Sequence, residues 1–124
     1  MGISLPRFRQ FPLWLVCLVT TCSLGQELPL SRQMADSFMA NHKDSILVGK
    51  NTATKWDYEQ GLMLKAIEKV WYRTGEGKYF EYIRKDIDQY VRPDGSIRTY
   101  RADDHNIDNI PTGRALLTLY QQSL

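Results

Sequence analysis

Cysteine is scarce in these 124 residues: there are two, Cys17 and Cys22, and both lie near the N-terminus. A dominant charge sign is also missing, with 16 Lys and Arg against 14 Asp and Glu and a formal net charge of +2. The first acid is Glu27, whereas Arg7 and Arg9 come before it. Without its first 25 residues the chain carries 14 basic and 14 acidic groups and is neutral. That leaves no electrostatic footprint for nucleic acid or an anionic membrane, so neither is an expected partner. No apolar run reaches the ~20 residues of a membrane span. A glycine-rich phosphate loop, a Gly-x-Ser-x-Gly elbow and a His-Glu-x-x-His pair are all absent, which removes the chemistries built on them. With 43% hydrophobic and 24% charged residues, the composition excludes a disordered or collagenous chain. The length sets a ceiling of one domain.

What is present begins with an address. Met1 to Gln10 holds two arginines and no acid, and Phe11 to Leu24 is uncharged and rich in Leu, Val, Phe and Trp. Ser23 and Gly25 then place small residues at −3 and −1 of a cleavage site before Gln26. This pattern marks 1–25 as a secretory signal peptide and 26–124 as the mature chain, exported to the periplasm or secreted. An uncleaved anchor is the alternative, and the short apolar run disfavours it. Val19-Thr20-Thr21-Cys22 resembles a lipobox, but Thr stands where Gly, Ala or Ser is usual before the lipidated cysteine, which disfavours a lipoprotein. Removal of the peptide takes both cysteines with it. The remaining 99 of 124 residues then have no disulfide, no sulfur ligand for zinc and no thiol nucleophile, and must hold together by packing.

The mature chain reads as all-α. A first helix is expected from Ser31, as N-cap, to about His42, with Met34, Phe38 and Met39 as its apolar stripe. Ile46 to Thr54 reads as a loop. A second helix starts at Asp57, repeats Leu64, Ile67, Val70 and Trp71 at helical spacing, and stops at Gly75. A third runs from about Lys78 to Val91 on Phe80, Ile83, Ile87 and Tyr90. The short connection between them forces an antiparallel hairpin. Pro93-Asp94-Gly95 is a turn, and Ser96 to Arg101 a short extended segment. Pro111 to Gln121 makes a fourth helix, with Asp108 or Asn109 as N-cap and Ala115, Leu116, Leu119 and Tyr120 apolar. Trp71-Tyr72 and Leu119-Tyr120 echo each other 48 positions apart. This suggests a repeated helical hairpin of about 50 residues. The fourth helix would then lack a partner for Leu116, Leu119 and Tyr120, so either another chain covers them or the sequence is the front part of something longer.

Two clusters carry candidate chemistry. Trp56 and Tyr58 flank Asp57 at a helix entry. Their rings suit stacking on a sugar, and equally Trp56 suits a staple with Asp57 as cap. Asp103, Asp104, His105, Asn106, Asp108 and Asn109 crowd one polar loop, offering acid–base chemistry, a helix cap, or both. Calcium-loop spacing is absent and no second His stands four residues from His105, so no metal is expected. Arg114 suits either a carboxylate clamp or a structural ion pair.

Four stretches carry a family resemblance. They are Lys55-Trp56-Asp57-Tyr58-Glu59-Gln60-Gly61-Leu62, then Thr74-Gly75-Glu76-Gly77-Lys78-Tyr79-Phe80, then Tyr90-Val91-Arg92-Pro93-Asp94-Gly95-Ser96-Ile97, and finally His105-Asn106-Ile107-Asp108-Asn109-Ile110-Pro111-Thr112-Gly113-Arg114-Ala115-Leu116-Leu117. Together they resemble the N-terminal part of glycoside hydrolase family 105, the unsaturated rhamnogalacturonyl hydrolases, relatives of the unsaturated glucuronyl hydrolases of family 88. The resemblance runs from about Met34 to Leu124. It implies N-terminal hairpins of an (α/α)6 barrel, incomplete in this chain, since six such hairpins need about 300 residues.

The implied substrate is a pectin-derived unsaturated rhamnogalacturonan oligosaccharide, and the implied reaction releases its terminal 4,5-unsaturated galacturonate by hydrating the double bond. No cofactor is implied. By the same resemblance Asp108 is the earlier of two active-site aspartates. Trp56 and Tyr58 line the sugar pocket, with His105, Asn106 and Asn109 in the surrounding loop. The aspartate with the main acid–base role belongs to a later motif beyond Leu124, as does the remainder of the barrel, so the chain alone is expected to be inactive. The alternative is a non-catalytic exported helical-repeat module that binds a glycan or protein through Trp56 and Tyr58.

Overall fold

The computed structural model describes residues 1–2, 29–47 and 53–124. The segment expected as a signal peptide, 1–25, apart from Met1 and Gly2, and part of the loop expected at 46–54 lie outside the described residues. Among the described residues four α-helices carry the fold: α1 (Leu30–Asn41), α2 (Tyr58–Thr74), α3 (Gly77–Asp88) and α4 (Ile110–Gln122). Two single 3-10 turns, Ala102–Asp104 and Ile107–Asn109, lie before α4. Among the described residues strand pairing is limited to one antiparallel bridge, Val91 to Ile97.

α2 is the element every other helix packs against. The Asp57 side chain accepts from the Gln60 N–H at 3.3 Å and closes the first turn. At the other end Gly75 adopts φ 68°, a left-handed conformation that costs a glycine nothing, and its N–H donates to Trp71 O at 2.8 Å. Only Gly75 and Glu76 separate α2 from α3, so the two run antiparallel. Leu64, Ile67 and Val70 of α2 meet Tyr79, Ile83 and Ile87 of α3, and Tyr90 extends the same stripe.

α1 differs from expectation at its start. Its N-cap is Pro29, whose carbonyl accepts from Arg32 N at 2.8 Å, and Ser31 lies inside the first turn. Proline has no N–H to lose there, and its fixed φ suits a helix entry. The apolar stripe is rotated by one residue: Ala35 is buried, Phe38 and Met39 are partly so, and Met34 is exposed. Polar contacts tie α1 and its exit to α3. Lys78 Nζ lies 2.8 Å from Asp36 Oδ1, and this ammonium holds the Asp36 carboxyl below the usual carboxylate range. The Tyr82 hydroxyl donates to His42 O at 2.7 Å, and burial pushes its pKa up.

α4 lies on α2 through small and polar side chains, not leucines. Its buried face is Thr112, Ala115 and Thr118. At Gly61 a Cβ would stand 2.5 Å from the Pro111 carbonyl carbon, so only glycine admits the α4 N-terminus here. Thr112 Oγ1 donates to Asp57 O. Thr118 Oγ1 donates to Glu68 Oε1 at 2.6 Å, and Lys65 pairs with the other carboxylate oxygen. Burial alone would raise the Glu68 pKa, but those two hydrogen bonds, with the positive charges of Lys65 and Lys69, together hold the carboxyl low.

Leu116 and Leu119 are partly buried, whereas Leu117 and Tyr120 are exposed. With Phe80, Ile87 and Val91 they line an open apolar groove of about 620 Å³ between α3 and α4. The side chains expected to want a partner helix are therefore the ones left at a groove.

Candidate functional site

The two chemical clusters meet at the head of α2. Trp56 immediately precedes the Asp57 cap. Its backbone N–H donates to Thr99 Oγ1 at 2.9 Å, and its indole Nε1–H donates to Asn109 O at 3.0 Å. Residues 43 and 53 positions away are thus bound to one side chain and its own amide. The indole is 3% exposed and packs edge-on to Tyr90 with ring centroids 5.8 Å apart. Expected to line a sugar pocket, Trp56 donates both its indole N–H and its backbone N–H to the chain itself.

Tyr58, one residue into the helix, is different. It is 49% exposed, and its hydroxyl reaches Glu59 Oε1 at 3.5 Å. An aromatic face held on the first turn of a helix is available for stacking.

The polar loop is built from tight turns. Arg92 to Ser96 closes on Asp94, whose Oδ1 accepts from Ser96 N at 2.9 Å and from Ser96 Oγ at 2.7 Å. Those two bonds hold the Asp94 carboxyl below its ordinary pKa. Arg98 N donates to Tyr90 O at 2.9 Å, and then Thr99 turns left-handed with φ 66°, which ends the extended segment. His105 is also left-handed, at φ 47°, with Nδ1 3.0 Å from Ala102 O. The Asn106 side chain accepts from Asp108 N at 3.0 Å, an Asx turn that sets the 3-10 turn Ile107–Asn109. The N-cap of α4 is Asn109, with no side-chain cap bond, and Asp108 does not cap either. The carbonyl of Asn109 accepts from the Trp56 indole.

Asn109 is therefore drawn into contact with Trp56, while His105, Asn106 and Asp108 are exposed and bonded within their own turns. Arg114 is exposed on α4, where its carbonyl accepts from Thr118 Oγ1 at 3.2 Å. Among the described residues no three His, Cys, Asp or Glu side chains are arranged to hold a metal ion.

One functional-looking pair was missed in the sequence. Asp86 and Gln60 are both buried, with Gln60 Nε2 donating to Asp86 Oδ2. Burial pushes the Asp86 carboxyl up to about 6 against that donated bond. The signal was present, since the apolar stripe of α3 at Tyr79, Ile83, Ile87 and Tyr90 runs through position 86 at three- and four-residue spacing.

Residues 30–124 match Glycosyl Hydrolase Family 88. The chain belongs to that family. Its structure is also similar to that of a glycoside hydrolase from family 105 of C. acetobutylicum ATCC 824, with 35% sequence identity and a TM-score of 0.62. The match covers 74% of this chain and 24% of that one, so the family 88 chain spans about a quarter of the neighbour's length. The four helices accordingly form part of the (α/α)6 barrel of these families.

Proposed function

We propose that this family 88 chain supplies the N-terminal hairpins of an exported glycoside hydrolase that acts on unsaturated pectin fragments. Membership of the family, with 35% identity to a family 105 enzyme, carries the reading. In the reaction an acid protonates the C4–C5 double bond of the terminal uronate. Water adds at the neighbouring carbon, and the resulting hemiketal opens, releasing the rest of the saccharide. The protein must supply a positioned proton donor and acceptor, a placed water and a sugar-binding face.

Asp108 is the acid–base candidate within this chain, exposed at the entry to α4. Tyr58 offers the stacking face, and His105 and Asn106 flank Asp108 with groups able to bond sugar hydroxyls. In this reading the second aspartate and the groups that grip the uronate come from other hairpins of the barrel.

The test is to follow the ultraviolet absorbance of a lyase-generated rhamnogalacturonan disaccharide, using the longest open reading frame that contains this sequence. Loss of the conjugated absorbance is expected, slowed by roughly a hundredfold or more in Asp108→Asn. Undiminished turnover by that variant would remove Asp108 from the chemistry. No turnover of any unsaturated uronide would remove the reaction.

A further inference from the structure

We infer that Trp56 is a positioning residue for the Asp108 turn, holding that turn to the head of α2 through its indole N–H. The functional meaning of this anchor rests on the proposed role of Asp108, but the anchor itself stands on geometry.

Three observations converge. The loop from Arg92 to Asn109 is exposed over most of its length and has no regular structure beyond one bridge and two 3-10 turns. Such a loop keeps a defined course only where it is tied down. Trp56 ties it in the middle and at its C-terminal end, donating its backbone N–H to Thr99 Oγ1 and its indole N–H to Asn109 O.

The second observation is that the tie holds strain. Thr99 is β-branched and sits at φ 66°, where such residues are genuine outliers, and its hydroxyl is the acceptor that meets Trp56. Strain of this kind persists only where surrounding structure imposes it.

The third is that Trp56 is itself immobilised. Its ring meets Tyr90 edge-to-face, and the Arg98 guanidinium lies 5.4 Å from the Tyr90 ring centre, so the indole, Tyr90 and Arg98 of the loop pack as one group. The Asn109 carbonyl is one residue from Asp108, and α4 is fixed just beyond it by Thr112 on Asp57 O. Loss of the indole bond therefore frees the Asp108 turn at its C-terminal end, at the junction with α4, while Thr112 keeps α4 docked.

Limited trypsin digestion of the 124-residue chain tests this without any substrate. Arg98 and Arg101 lie inside the tethered loop, whereas Arg73 and Arg84 lie in α2 and α3. Trp56→Phe keeps an aromatic ring in the core and removes the indole donor. It should speed cutting at Arg98 and Arg101 by roughly tenfold, with Arg73 and Arg84 unchanged. Thr99→Ala should act in the same direction, and Thr99→Ser, which restores the acceptor, should digest like the parent.

Unchanged cutting at Arg98 and Arg101 in Trp56→Phe would overturn the anchor. So would equal acceleration at all four sites, which would make Trp56 an ordinary core residue, or a parent chain cut as fast in the loop as at Lys55. A tethered loop together with full turnover by Asp108→Asn would leave the anchor standing and remove only the hydrolase role of that aspartate.

Discussion

Replacing Asp86 by Asn should cancel a pH-dependent weakness built into the α2–α3 hairpin. Asp86 is 3% exposed, and among the described residues its side chain accepts one hydrogen bond, from Gln60 Nε2. Burial raises its carboxyl from 3.8 to about 6. The native protein therefore binds this proton more tightly than the unfolded chain does. Stability from this site is complete below pH about 4, falls as pH rises, and is lowest above about 6. A shift of about two units corresponds to about 3 kcal/mol.

Asn at position 86 cannot ionise. Its carbonyl can still accept from Gln60 Nε2, and its new amide N–H can donate to Gln60 Oε1, a buried atom with no partner among the described residues. Urea unfolding followed by far-ultraviolet circular dichroism should be run on both proteins from pH 4 to 7.5. The variant should gain about 2–3 kcal/mol over the parent across that range, equivalent to a Tm higher by on the order of 10 °C at the neutral end. Asp36 and Glu68, whose carboxyls are held low, weaken both proteins alike toward acid, so they cancel in the difference. A stability difference that is flat with pH, or a variant weaker at pH 7.5, would refute the reasoning.

Gly61→Ala should cost about 3 kcal/mol or prevent α4 from docking, because the added methyl meets the backbone of Pro111 and Thr112; thermal melting measures it. Thr118→Val should cost about 2 kcal/mol by stripping a hydrogen bond from the buried Glu68 carboxylate, and the loss should shrink in a Glu68→Gln background, as a double-mutant cycle would show. Asp57→Ala should cost about 1 kcal/mol as a lost N-cap, read from the same melts.

The hairpin of α2 and α3 was legible because three signals agreed there: helical apolar spacing, an Asp cap and a Gly stop. The α1 start was misplaced because a good capping residue, Ser31, sits two positions after a proline whose carbonyl does the work. On α4, leucines mark the groove while Thr112, Ala115 and Thr118 face α2, since the close approach at Gly61 leaves room only for small side chains. Trp56 and the Asp108 loop were paired by motif resemblance, and their meeting is visible in the structure. Its form was not readable: no local pattern states that an indole will bond a backbone carbonyl 53 residues away. Asp86 was overlooked because a charged residue on an apolar stripe is normally taken for a surface one.

The way α4 is fastened also sets an order of assembly. α2 and α3 are joined by two residues and can close within microseconds on local contacts. α4 returns to α2 across separations of 50 and 55 residues, through Thr118 on Glu68 and Thr112 on Asp57. That loop must lose its freedom before either bond forms, so α4 docks only after the α2–α3 hairpin has closed. Substitutions at Thr112 and Thr118 should then change the unfolding rate far more than the folding rate, whereas those at Ile67 and Ile83 should slow folding. The acidic turn ahead of α4 would thus take its final place only when the α2–α3 hairpin is already built.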